Sequence, residues 1–325
     1  MRKLLVILLL LACAVSLIFT VIYFVKVFHS EVAVPGSVDV EDIPYRIVVI
    51  SQEMDSPFWN QVERGALAAG EELQVGVEFW GTYRSNMEDF MKHIEIAIAS
   101  KVDGIIVQGL NTEEFNTITK LKAAQYGIPV ITIANDVSMN ESLRKTYVGS
   151  NHLLGGQMIA AQLVHDMQGS GKVVVMVSDR EEESQRLRLE GIIETFENNP
   201  YIEYKIVTSG DSSEQITSAT KQLLNEQPDT DAFIGVTIDS ASVIVQEVEK
   251  RSRLANFYIY SFDDNLETLD YMRKGYIRAT IKQSPTEIGT KSVGLMVKWL
   301  RGEVLPLDSV GYYTDISVLR AEDLR

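Results

Sequence analysis

YRIVVISQEMDSPFWNQVERGALAAGEELQVGVEFW, residues 45–80, contains one complete unit of the pattern that decides the fold. Its opening run, Arg46–Ser51, is short, β-branched and without a polar face, which suits a strand buried on both sides. Ser56 and Pro57 then offer an N-cap followed by proline at N1. An amphipathic segment runs over 58–73, and a second short apolar run occupies 75–80. Strand, helix and strand in this order predict a βαβ unit with parallel strands.

The alternation continues to the end of the chain. Further apolar runs lie at 104–108, 129–133, 172–177, 203–207, 232–236, 257–262 and 278–281. Helical patterns separate them at 87–100, 113–126, 153–167, 182–198, 213–225, 240–253 and 266–274, and one more follows at 286–300. The units fall into two groups of similar rhythm with a seam at 149–151. The expected fold class is therefore α/β, with two doubly wound parallel-sheet lobes. The first lobe takes 45–150 plus 284–311, and the second 151–283 plus 312–325.

The N-terminus adds a further expectation. After Arg2 and Lys3, residues 4–25 carry no formal charge, a run long enough for a helix across the hydrocarbon core. The basic pair precedes it, while Glu31, Asp39, Glu41 and Asp42 follow. The positive-inside bias then places the N-terminus in the cytoplasm and the bulk of the chain outside. This predicts a transmembrane signal anchor within residues 1–29, a stalk over 30–44, and a single-pass cell-membrane protein with an extracytoplasmic domain. Two alternatives stay open: lipidation at Cys13, because Leu10-Leu11-Ala12-Cys13 resembles a lipobox, and ordinary signal cleavage.

Composition removes several function classes. Of 325 residues, 45 are acidic and 30 are Lys or Arg, a formal net charge of −15 that argues against nucleic acid as a partner. Cys13 is the single cysteine, so neither an intramolecular disulfide nor a thiolate metal site can form. His29, His93, His152 and His165 lack ligand spacing, and no nucleophile elbow, phosphate loop or dinucleotide glycine pattern occurs. Glu181, Glu182 and Glu183 read as acids favoured by a helix start. No catalytic centre, metal or cofactor is expected.

In doubly wound sheets ligands bind beyond the carboxyl ends of the strands. Phe58 and Trp59 follow the first strand; two adjacent aromatics cannot both face one core, and one of them should be free to stack on a sugar face. Asn135 and Asp136 follow 129–133, as turn residues or as polar groups reaching the cleft. Arg186 lies near a helix N-terminus, where a cation opposes the macrodipole. Asp239, an N-cap candidate, follows 232–236; Asp263 follows 257–262; Gln283 follows 278–281. Together they form a hydroxyl-binding inventory of amides, carboxylates, a guanidinium and an aromatic shelf.

At these residues the chain resembles the type I periplasmic binding proteins of the ribose/galactose-binding family, whose fold is shared by ligand-binding domains of LacI-type repressors. The landmarks are Ser56-Pro57-Phe58-Trp59, Gly65, the runs 103–107 and 127–132, Asn151 with Leu154-Gly155-Gly156, Arg186 to Gly191, Phe262-Asp263, and 279–283 followed by Ile288-Gly289. The resemblance implies two lobes joined by three crossovers. It also implies ligand contacts from Phe58, Trp59, Asn135, Asp136, Arg186, Asp239, Asp263 and Gln283. Departures occur where members carry Asp-Arg and this chain has Ala134-Asn135-Asp136, and at Ile238, where some members have an asparagine. With the expected anchor, the chain looks like a membrane-anchored member that binds a sugar-like molecule by lobe closure and reports it to a sensor histidine kinase. The alternative is delivery of the sugar to an ABC transporter.

Overall fold

The computed structural model describes residues 45–324 except 84–85, 180–181, 211, 238–239, 251–256 and 263; before residue 45 it describes Ser16, Leu17 and Phe19. Two six-stranded sheets account for the chain from Arg46 onward. The first contains β1 (Arg46–Ser51), β2 (Gly76–Gly81), β3 (Gly104–Gln108), β4 (Val130–Ile133), β5 (Thr146–Ser150) and β11 (Tyr312–Thr314). The second contains β6 (Gly171–Ser178), β7 (Ile202–Ser209), β8 (Ala232–Gly235), β9 (Tyr258–Phe262), β10 (Ala279–Lys282) and β12 (Ser317–Arg320).

The strand orders are β11-β5-β4-β3-β1-β2 and β12-β10-β9-β8-β6-β7. Within each lobe the first five strands therefore pair in the same order. All pairings are parallel except β10 with β12. Tyr312–Thr314, placed with the second lobe in the expected division, pairs with β5 of the first sheet. The chain passes between the sheets after β5, after β10, and between β11 and β12.

The middles of β1, β3, β6 and β8 are apolar on both sides because helices cover both faces of each sheet. In β1 the alternate residues Ile47 and Val49 join one core cluster and Val48 and Ile50 another. The second sheet divides in the same way, with Val173 and Val175 on one side and Val174 and Met176 on the other. The edge strand β7 instead exposes Glu203 and Lys205, charges that discourage pairing with another chain.

Helix α1 (Pro57–Leu73) starts where the sequence indicates, after Ser56 in an extended conformation and with proline at N1. It crosses a distant helix, Pro285–Leu300, at glycines: a Cβ on Gly65 would lie 2.0 Å from the Thr286 carbonyl oxygen, and one on Gly289 2.1 Å from that of Val62. The second lobe repeats the device. Helices His152–Asp166 and Glu183–Glu197 meet at Gly156 and Gly191, whose Cβ atoms would lie 2.1 Å from the carbonyls of Arg188 and Leu153. The remaining helices are Met87–Ala99, Glu113–Thr117, Met139–Ser142, Ser213–Glu226, Ser240–Glu249 and Leu266–Arg273. In chain order the helices are α1 to α10, so His152–Asp166 is α5, Glu183–Glu197 is α6 and Pro285–Leu300 is α10.

The expected N-terminal transmembrane helix is corrected. Among the described residues no helix is long and apolar enough to cross a membrane. The span expected at 4–25 falls almost wholly outside the described residues. Apolar composition by itself does not separate a permanent span from the apolar stretch of an export signal.

Candidate ligand cleft

The carboxyl ends of the strands of both lobes meet around one cleft. A cavity of about 430 Å³ opens there, lined by Asn111 from the loop after β3 and by Ser178, Glu182, Gln185 and Arg186 of the second lobe. Two buried polar atoms on the first-lobe side have no hydrogen-bond partner: Nε2 of Gln52, just after β1, and Oε1 of Gln108, the last residue of β3. These strands are neighbours, with Ile50 opposite Val107. Gln108 is thus level with Ser51, one residue before Gln52, and an unpartnered donor and an unpartnered acceptor lie buried at the ends of adjacent strands. Such atoms carry a free-energy penalty unless a ligand or water satisfies them.

The second lobe contributes Arg188, 8% exposed. Its Nη1 donates to the Val236 carbonyl at 2.9 Å, beyond β8, and its guanidinium lies 4.5 Å from the ring centre of Phe262 at the end of β9. Across the fold, His152 at the start of α5 places Nε2 2.9 Å from the Ala134 carbonyl and 3.2 Å from the Tyr147 hydroxyl. Burial first, and the nearby Arg188 charge second, hold His152 down to about 3, so the imidazole is neutral. It therefore donates Nε2–H to Ala134, whose φ of 62° turns the chain sharply after β4.

The residues expected at the site have different fates. Trp59 is 6% exposed and belongs to the first-lobe core; Phe58 is half-buried at its edge, its ring 5.4 Å from that of Trp59 and nearly perpendicular. Asn135 is buried and engaged on both sides. Its Nδ2 donates to the Gly109 carbonyl at 2.8 Å, and its Oδ1 accepts from the Ser184 backbone N–H at 2.9 Å, at the start of α6 in the other lobe. Asp136 is tied to the first lobe by Arg144 at 2.6 Å and by the Thr132 hydroxyl at 2.6 Å. Burial pushes its carboxyl above the usual range, against the pull of Arg144.

Arg186 lines the cavity, but its guanidinium is exposed and held by Glu183 at 2.6 Å and Glu190 at 2.9 Å. Those two carboxylates raise its pKa, Glu183 foremost. Gln283 is buried at the second crossing, and its Oε1 accepts from the Ser150 hydroxyl at 2.5 Å, which ties it to the first crossing. Asp239 and Asp263 lie outside the described residues. The structure thus brings Phe58, Asn135, Arg186 and Gln283 to the strand ends, and sets Trp59 and Asp136 into the first lobe's own fabric.

Gln52, Gln108 and Arg188 were not singled out in the sequence. The two glutamines sit where the strand-end rule points. Arg188 was legible from periodicity: Phe196, Ile192 and Gly191 form the buried stripe of α6, and stepping back along it reaches Arg188 and then Gln185. Arg186 is two residues, about 200°, away on the helix.

The periplasmic binding protein domain matches residues 47–303. The chain belongs to that family. The crystal structure of a glucose-galactose binding protein from Geobacillus stearothermophilus aligns with a TM-score of 0.80 at 32% identity, covering 86% of this chain and 98% of that one. The ribose import binding protein of Salmonella typhimurium is 21% identical over 262 residues, 79% of this chain and 85% of that protein. The D-allose-binding periplasmic protein of Escherichia coli is 22% identical over 277 residues, 80% and 86% respectively. The family is one of non-catalytic solute-binding proteins, and the chain is not an enzyme.

Three linked expectations are corrected by these findings. They support neither a membrane-anchored member, nor a single-pass cell-membrane localisation, nor signal transduction through a histidine kinase. All three rested on the apolar run at 4–25. The membrane as a partner is withdrawn with them.

Proposed function

We propose that the chain binds a monosaccharide or similar polyol outside the cytoplasm, between its two lobes, and delivers it to an ABC transporter. The observation that carries this reading is the pair of buried, unpartnered amide atoms, Gln52 Nε2 and Gln108 Oε1, at the mouth of the first sheet. A free donor and a free acceptor at these strand ends suit a ligand whose hydroxyls both donate and accept. The sugar-binding relatives support the ligand class, and the import role of the ribose protein supports the partner. Phe58 supplies an apolar face, and Arg186, Arg188 and Gln283 supply polar groups as the second lobe closes; Asp239 and Asp263 are kept as contacts on the family resemblance alone.

A thermal-shift panel of pentoses, hexoses and inositols tests the binding step. A ligand at 100 times its Kd adds about 2.7 kcal/mol, a rise of roughly 5–10 °C for a chain of this size. Sugar-dependent crosslinking to an ABC permease in whole cells tests the delivery step. A folded protein that no sugar or polyol shifts overturns the reading.

A further inference from the structure

The second lobe carries another cavity, of about 630 Å³, well away from the cleft. It opens at the amino ends of the sheet, where Tyr258 begins β9 and Arg278 precedes β10, whereas the cleft lies at the carboxyl ends. Gln162, His165 and Asp166 of the last turn of α5 line it, with Arg320 at the end of the antiparallel strand β12.

Its two arginines are fixed by neutral partners. Arg320 Nε donates to Gln162 Oε1 at 2.9 Å, and the Arg278 guanidinium lies over the Tyr258 ring at 5.3 Å from its centre. Neither forms an ion pair among the described residues. That is unlike Arg46, Arg144 and Arg186, which all meet carboxylates on this acidic chain. The nearby acids are occupied: Asp166 accepts from Gln162 Nε2 at 2.8 Å and from the Tyr260 hydroxyl at 2.6 Å, and Asp323 Oδ2 accepts from the Arg320 backbone N–H at 2.8 Å. Glu322, exposed on the short turn Ala321–Leu324, is the other acid of the wall.

We infer that this cavity is a binding site for a small dianion, a phosphate ester or a dicarboxylate. Guanidinium forks match the paired oxygens of both groups, and two of them held without carboxylate partners keep their donors available. The room exceeds what one inorganic ion needs, so an organic body beside the charged group fits. The site is independent of the cleft and goes beyond the transport reading.

Calorimetric titration of the full chain at low ionic strength, with inorganic phosphate and with succinate as probes, tests it. The expected result is one-site binding of at least one probe with a Kd of about 1 mM or tighter. Arg278→Gln and Arg320→Gln should each weaken it at least about tenfold, and Glu322→Gln should tighten it, because that change removes a like charge. A cleft variant, Gln108→Leu, should leave it unchanged, so failure here is distinct from failure of the sugar reading. Absence of binding by both probes at about 10 mM, or binding that survives both arginine substitutions in folded protein, overturns the inference.

Discussion

Replacing Asn135 with alanine separates a latch from a ligand contact. The side chain makes two bonds of different kinds: Nδ2 to Gly109 stays within the first lobe, and Oδ1 to the Ser184 N–H crosses to the second. Only the second bond is lost when the lobes part, because the Ser184 N–H belongs to the first turn of α6 and can then find water. A net hydrogen bond contributes about 1 kcal/mol, so Asn135→Ala should shift the open–closed balance by about fivefold toward open. If closure is needed for binding, the apparent Kd weakens by the same factor. Losing the Gly109 bond adds a separate stability loss of about 1 kcal/mol, seen as a lower Tm. Small-angle scattering of the ligand-free chain should show a larger radius of gyration, and calorimetry the weaker affinity. A Kd weakened a hundredfold or more, with scattering unchanged, would refute the latch and place Asn135 on the ligand.

Three further outcomes follow from the packing and the charges. His152 has a folded pKa depressed to about 3 against 6.5 when exposed, so its contribution is complete above 6.5 and is lost as pH falls below that value. Urea denaturation at pH 5 should show about 2 kcal/mol less stability than at pH 7 from this group, and His152→Gln should remove that part of the difference. Arg144→Met strips Asp136 of its buried partner and should cost about 3–5 kcal/mol in the same assay, with sugar affinity unchanged if Asp136 is structural. Gly191→Ala drives a methyl into the Leu153 carbonyl at the α5–α6 crossing, and a loss of about 1–3 kcal/mol should appear in thermal melts.

The two-lobed α/β core was legible because its strands are β-branched and its helices periodic. β1 and β3 run over the residues expected, and α1 begins at the Ser56-Pro57 signal. β5 was missed: Thr146-Tyr147-Val148-Gly149-Ser150 is fully buried, but its polar and glycine content reads as a connection. β11 and β12 are three and four residues long and are defined by pairing across the fold, which no local pattern announces. At the site, strand-end position was readable, but direction was not. Asn135 and Asp136 are consecutive, yet one reaches across to α6 while the other turns back to Arg144, and only the chain reversal at Ala134 decides this. The apolar N-terminal run misled most, because hydropathy reports composition and the topology built on it found no support.

Calorimetric titration of the full chain with D-glucose, D-galactose, D-ribose and D-allose, repeated on Gln108→Leu, tests the central claim most directly. One sugar should bind one-to-one, and the leucine variant, similar in shape but without the Oε1 acceptor, should bind it at least about tenfold more weakly while melting no lower. Heat of binding unchanged by the substitution, or a folded chain that takes up none of the four, would contradict a sugar held between the lobes.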